Sequence, residues 1–187
     1  MNPAERRLFL GRSLGVAQLA TAARLLPVSG RALALAPSSS ARELSFRHLH
    51  TEERTALVYA MGQRFIPKAL THLNHFLRDH YTGETGDMDP QLFHLLHQVR
   101  RELGTKQAFH VISGYRSPHT NERLRTTRGG GVAKRSLHMD GKAIDVRLPG
   151  VPLDELRDAA ISLKAGGVGF YPGDNFVHID TGRVRTW

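Results

Sequence analysis

Two short alternating runs constrain this chain more than anything else in it. The first is Ser136-Leu137-His138-Met139-Asp140-Gly141-Lys142-Ala143-Ile144-Asp145, answered further along by Phe176-Val177-His178-Ile179-Asp180. From Ala143 to Arg147 a period of two sends Ile144 and Val146 to one face and Ala143 and Asp145 to the other. Phe176 to Asp180 alternates in the same way, with Val177 and Ile179 inward and His178 and Asp180 sharing the opposite side. Two strands that each present one ligand on a common face, joined by His138 from the loop entering the first, would close a tetrahedral site. A catalytic zinc takes three protein ligands drawn from imidazole and carboxylate and keeps its fourth position for water. His138, Asp145 and His178 supply that set, and Gly141 and Ala143 are small enough to leave room for it.

The absence of cysteine rules out disulfides, thiolate zinc sites and cysteine nucleophiles, so any metal must be held by His, Asp or Glu. A chain of 187 residues, 40% hydrophobic and 23% charged, suits one soluble domain with a real core. Its net charge of +9 favours anionic partners, whether nucleic acid, acidic lipid or an acidic cell-wall polymer, without choosing among them.

The N-terminus resembles a twin-arginine export signal. Arg6-Arg7 stands directly before Leu8-Phe9-Leu10, a weak apolar run interrupted by Arg24 extends to Leu26, and Ala32-Leu33-Ala34 or Ala34-Leu35-Ala36 offers a small-residue cleavage site, Pro37 after Ala36 favouring the first. The competing readings are an amphipathic surface helix or an uncleaved anchor, but the run falls short of the ~20 residues a spanning helix needs. Cleavage after Ala34 would remove five arginines and one glutamate, lowering the net charge to about +5 and weakening the nucleic-acid reading. The expected organisation is a signal over residues 1–34, a linker over 35–43 and one domain over 44–187.

Within that domain, Leu44 to Arg47 and Ala56 to Tyr59 read as a first hairpin around the polar turn Thr51 to Arg54. Leu70, Leu73, Phe76 and Leu77 recur at helical spacing after Pro67. Asp89-Pro90 caps a second helix whose stripe Leu92, Leu96, Val99 and Leu103 stops at Gly104. Ala108 to Ile112 reads as a buried strand leading into Ser113-Gly114-Tyr115-Arg116, after which Ser117-Pro118 caps a short helix running to about Arg125. Arg128-Gly129-Gly130-Gly131 is a loop, either a lip over the site or plain solvent-facing chain. Leu153, Leu156, Ala160 and Leu163 mark a last helix, followed by the hairpin Val168 to Tyr171 and Phe176 to Asp180 and an edge at Val184 to Trp187. The predicted class is α+β, a small antiparallel sheet carrying the site and flanked by helices.

Ser136-x-His138-x-x-Gly141-x-Ala143-x-Asp145, preceded by Ser113-Gly114-Tyr115-Arg116-Ser117 and followed by His178, resembles the zinc D-alanyl-D-alanine carboxypeptidase group. That group belongs to the metallopeptidases related to lysostaphin-type enzymes and the hedgehog signalling domain. The endings Gly167-Val168-Gly169-Phe170-Tyr171-Pro172 and Phe176 to Gly182 look most like its exported murein endopeptidase branch. The resemblance covers about residues 42 to 187. It implies Zn2+ on His138, Asp145 and His178, an oxyanion-neutralising Arg116, and Ser113 as a substrate-orienting or supporting hydroxyl. It also implies an enzyme acting on peptidoglycan stem peptides or their cross-links; the export signal and the lowered charge add a periplasmic location, no nucleic-acid partner and no membrane span once the signal is removed, and a monomer is expected.

One departure concerns the proton acceptor. Many members of the group carry Glu or Asp three residues before the second histidine, where this chain has Asn175, and an amide cannot accept and return a proton. Asp180 and Asp174 remain; the strand period favours Asp180, whose alternative role is to orient the His178 imidazole. Asn175 also motivates an alternative function, a zinc-containing cell-wall or protein-binding module without catalysis. Most of the eleven histidines fit solvated faces, and His119 is a candidate for the cleft wall only through its nearness to Arg116. Arg116 as an ordinary ion-pair partner is the bland alternative. Tyr115 and Trp187 would stack on sugar, on each other or in the core. Lys134, Arg135 and Lys142 form either a basic rim or plain surface.

Overall fold

The computed structural model describes residues 41–127 and 132–187. The expected export signal and the Gly129 to Gly131 loop lie outside the described residues.

Alternation builds the first hairpin as expected. In β1 (Ala41–His48) Leu44, Phe46 and His48 are buried while their neighbours are not. β1 pairs antiparallel with β2 (Arg54–Met61), which continues into the two-residue β3 (Arg64–Phe65). β1 starts at Ala41, before the alternation becomes visible at Leu44, because Ala41 and Arg42 pair with Met61 and Ala60 across an irregularity in the register.

Helix α1 (Pro67–Phe76) carries Leu70, Leu73 and Phe76 and is capped at Leu77. α2 (Pro90–Glu102) opens as predicted, with Asp89 accepting from the Gln91 amide and Pro90 in the first turn, and Gly104 follows its end at φ +61°. β4 (Phe109–Ser113) leads to α3 (Pro118–Thr127), whose Thr120 amide donates to the Ser117 hydroxyl. β5 (Ala143–Arg147), α4 (Leu153–Ser162), β6 (Gly167–Tyr171), β7 (Phe176–Asp180) and β8 (Arg185–Thr186) complete the order.

Among the described residues eight strands form one sheet in the order β3-β2-β1-β4-β5-β7-β6-β8. The α+β class holds, and the site strands β4, β5, β7 and β6 are antiparallel neighbours. The sheet as a whole is larger and mixed, because β1 joins β4, and β8 joins β6, in parallel. Neither pairing carries a sequence signal, since a parallel neighbour is brought in by a connection that passes elsewhere.

α1 packs on β2, α2 on β1 and α4, and α4 on β6 and β7. These contacts bury Ile144, Val146, Val177 and Ile179 completely, together with Leu92, Leu96 and Leu156. The sheet thus turns one face to the helices and leaves Asp145 and His178 on the other, as the period of two requires.

A histidine cluster closes the β1 to β2 turn. His48 is fully buried and its Nδ1 accepts from the amides of His50 and Thr51. Burial, reinforced by His80 and His50, pushes its pKa down to about 4, and burial followed by His50 does the same to His80. Both groups therefore bind fewer protons folded than unfolded, so stability is present above the ordinary histidine range and falls as pH drops through it toward 4. The melting temperature is expected to fall by several degrees between pH 7 and pH 4.5. His48→Asn, which keeps an acceptor for the turn amides and cannot be protonated, is expected to flatten that slope in calorimetry. An unchanged slope would remove His48 as its source.

Candidate active site

A row of residues crosses the four adjacent strands β4, β5, β7 and β6. Ser113 on β4 lies opposite Asp145 on β5, Asp145 lies opposite His178 on β7, and His178 lies opposite Gly169 on β6. Directly opposite residues share a face of the sheet, so the topology alone sets the second and third expected ligands side by side.

The first ligand arrives from the loop before β5. Its turns are held by the Met139 amide donating to the Ser136 carbonyl and the Lys142 amide to the Leu137 carbonyl. Gly141 sits there at φ +65°, and a Cβ on it would lie 2.0 Å from the Asp87 carbonyl oxygen. Its smallness therefore serves a backbone approach between this loop and the α2 entry, where its own carbonyl accepts from the Asp89 amide at 2.9 Å, rather than room around a metal.

His138 Nε2, Asp145 Oδ1 and His178 Nδ1 converge. The separations are 3.2 Å between His138 and Asp145, 3.2 Å between the two histidines and 2.8 Å between His178 and Asp145. A tetrahedral ion bonded at about 2.0 to 2.1 Å would space its ligands about 3.3 Å apart. The outward nitrogens are held as metal-binding histidines require: His138 Nδ1 donates to the Gly114 carbonyl at 2.7 Å, and His178 Nε2 lies 3.1 Å from Asp180 Oδ2. All three donors are buried.

The electrostatics favour a cation. Burial opposes charge on His178, but its hydrogen bonds to Asp145 and Asp180 outweigh it and raise the pKa to about 9. Asp145 is held below the usual carboxylate range by His138 and His178 despite its burial, whereas burial depresses His138. The pocket attracts positive charge, and the donor set and spacing fit zinc.

Arg116 stands beside this cluster with its side chain 12% exposed and Nη2 3.7 Å from Asp145 Oδ2, the oxygen turned away from the histidines. Its backbone amide donates to the His138 carbonyl at 3.1 Å, and Nη2 also reaches the Ser113 hydroxyl at 3.4 Å. Ser113, itself buried, thus supports the guanidinium.

Asp180 is placed differently from a proton acceptor. It is fully buried, its Oδ1 accepts from the amides of Gly167 and Gly182 and from Arg185, and its Oδ2 accepts from Arg185 at 2.7 Å and faces His178. Those partners, prevailing over burial, lower its pKa. A carboxylate with both oxygens engaged and no access to the cleft has the geometry of an imidazole-orienting group, so the preference for Asp180 as base finds no support here. Asp174 is exposed and lines the cleft. Asn175 is exposed at φ +56° in the β6 to β7 turn, a conformation asparagine tolerates.

The cleft over the cluster encloses about 700 Å³. Tyr115, Arg135 and Trp187 line it, whereas His119, Lys134 and Lys142 do not. Arg185, which anchors Asp180, and the Gly114 carbonyl, which fixes His138, were not legible in sequence. Arg185 sits outside any recognisable period, and a carbonyl leaves no trace in residue type.

Two imidazoles and one carboxylate converging on a cleft floor, with a guanidinium beside them, form the donor arrangement of a metallopeptidase. The chain belongs to the peptidase family described as peptidoglycan L,D-endopeptidase MepK, whose pattern it matches over residues 36–187. It is 42% identical over 174 residues to the peptidoglycan L,D-endopeptidase MepK of Escherichia coli, covering 93% of this chain and 94% of that one. A probable peptidoglycan L,D-endopeptidase MepK of Haemophilus influenzae is likewise 42% identical, over 93% of this chain and 92% of its own.

Proposed function

We propose that this protein is a zinc-dependent peptidoglycan endopeptidase that hydrolyses stem-peptide cross-links of the cell wall. The observation that carries the reading is the convergence of His138 Nε2, Asp145 Oδ1 and His178 Nδ1 beside Arg116 in an open cleft. Zinc held there would polarise a carbonyl and lower the pKa of a water. Arg116 would hold the carbonyl oxygen and stabilise the charge that develops on it. Ser113 supports that guanidinium, Asp180 orients His178, and Asp174, as the exposed carboxylate of the cleft, takes the proton. The relatives' L,D specificity supports a bond between an L and a D centre as the one cut.

Export through the twin-arginine route to the periplasm is part of this reading. It rests on Arg6-Arg7 ahead of Leu8-Phe9-Leu10 and on the location of the polymer. No helix among the described residues is long and apolar enough to cross a membrane.

Excess zinc-loaded protein incubated with cross-linked muropeptides is expected to convert them to monomers, each cleavage adding one water by mass. Chelation should abolish the conversion and zinc should restore it. Intact muropeptides after prolonged digestion would overturn the proposal and favour a non-catalytic wall-binding module.

A further inference from the structure

The ligand row ends in a gap that a distant side chain fills. Gly169 lies opposite His178, and a Cβ built on it would stand 2.7 Å from two indole carbons of Trp187. The indole thus occupies the space that a side chain at residue 169 would take, with its centroid 5.3 Å from that of His178.

The ring is fixed from several sides. Its Nε1 donates to the Tyr171 hydroxyl at 2.7 Å, the Arg185 guanidinium lies 4.7 Å from its centroid, and the Trp187 backbone bonds Val168 and Phe170 of β6. Yet Trp187 is 49% exposed and lines the cleft. A large aromatic held this firmly, with half its surface open to a cleft, offers a ligand wide contact area at small entropic cost.

We propose that Trp187 is a specificity-determining platform on which the aliphatic part of the stem peptide lies, next to the scissile amide. This rests on the endopeptidase reading above. The occupant is peptide rather than sugar, because the indole adjoins a metal ligand whereas the glycan joins the stem at its far end from a cross-link. Gly169 is the positioning residue, since any side chain there displaces the ring.

The test exploits composition, because Trp187 is the protein's one tryptophan. Titrating the zinc-loaded protein with the free stem tetrapeptide is expected to shift and saturate its fluorescence, while a peptide-free disaccharide leaves it unchanged. Trp187→Ala should raise KM for cross-linked muropeptides about 5- to 10-fold, with kcat and zinc content little altered. Trp187→Phe should restore much of the loss, and Gly169→Ala should alter emission before any ligand is added. If the parent protein hydrolyses muropeptides, unchanged fluorescence at a tetrapeptide concentration that inhibits hydrolysis overturns the platform, as does an unchanged KM in Trp187→Ala. A response to the disaccharide would reassign the ring to glycan. A parent protein without hydrolysis would instead overturn the function beneath it.

Discussion

Arg116→Ala is expected to lower kcat for muropeptide cleavage by about 10² to 10³, the usual loss when one preorganised oxyanion donor is removed. The guanidinium is placed before substrate arrives, by its backbone bond to the His138 carbonyl and its reach to Ser113 and Asp145. Because that charge is needed most when the carbonyl oxygen becomes negative, the loss should fall on kcat rather than on KM. Zinc content should stay unchanged, since Arg116 meets Asp145 at the oxygen turned away from the histidines. Arg116→Lys keeps the charge without the planar fork and should recover only part of the rate. Ser113→Ala should cost less, because it loosens the guanidinium without removing it. A loss confined to KM, or a loss of zinc along with activity, would contradict the assigned role.

The placing of Asp145 and His178 on one face was legible in sequence because what it requires is local. Alternation in Ala143 to Arg147 and Phe176 to Asp180 fixes the face each side chain takes, and a period of two is hard to misread where the opposite face is apolar. The helices were legible through the same logic at a period of 3.6, with the Asp89-Pro90 cap giving one of them a sharp start. What alternation cannot supply is which strands become neighbours or how far the backbone approaches another segment. The parallel entry of β1 beside β4, the purpose of Gly141 and the seating of Trp187 over Gly169 all depend on chain brought from elsewhere. The same limit governed Asp180. Its face followed from the strand, but whether its carboxylate meets the cleft or its own surroundings depended on Arg185 and on two backbone amides.

Asp180→Asn is therefore expected to act on metal affinity before it acts on catalysis. The carboxylate faces His178 Nε2 and favours a hydrogen on that nitrogen, which leaves Nδ1 to meet the metal. Losing such a partner typically weakens metal binding by about 10- to 100-fold, measurable by competition with a chelator of known affinity. Asp180→Ala should be worse, since Arg185 and the Gly167 and Gly182 amides lose their acceptor, and a buried unsatisfied donor costs about 1 to 3 kcal/mol. At saturating zinc, Asp180→Asn should regain most of its kcat, because the geometry around His178 survives in an isosteric side chain. Asp174→Asn should do the opposite, retaining zinc at parental affinity while losing about 10² or more in kcat, as removal of a proton acceptor does. If fully loaded Asp180→Asn stayed inactive while Asp174→Asn kept its rate, the proton would pass through Asp180 despite its enclosure. The two variants thus separate holding the metal from moving the proton, between which the strand period alone could not divide Asp180 and Asp174.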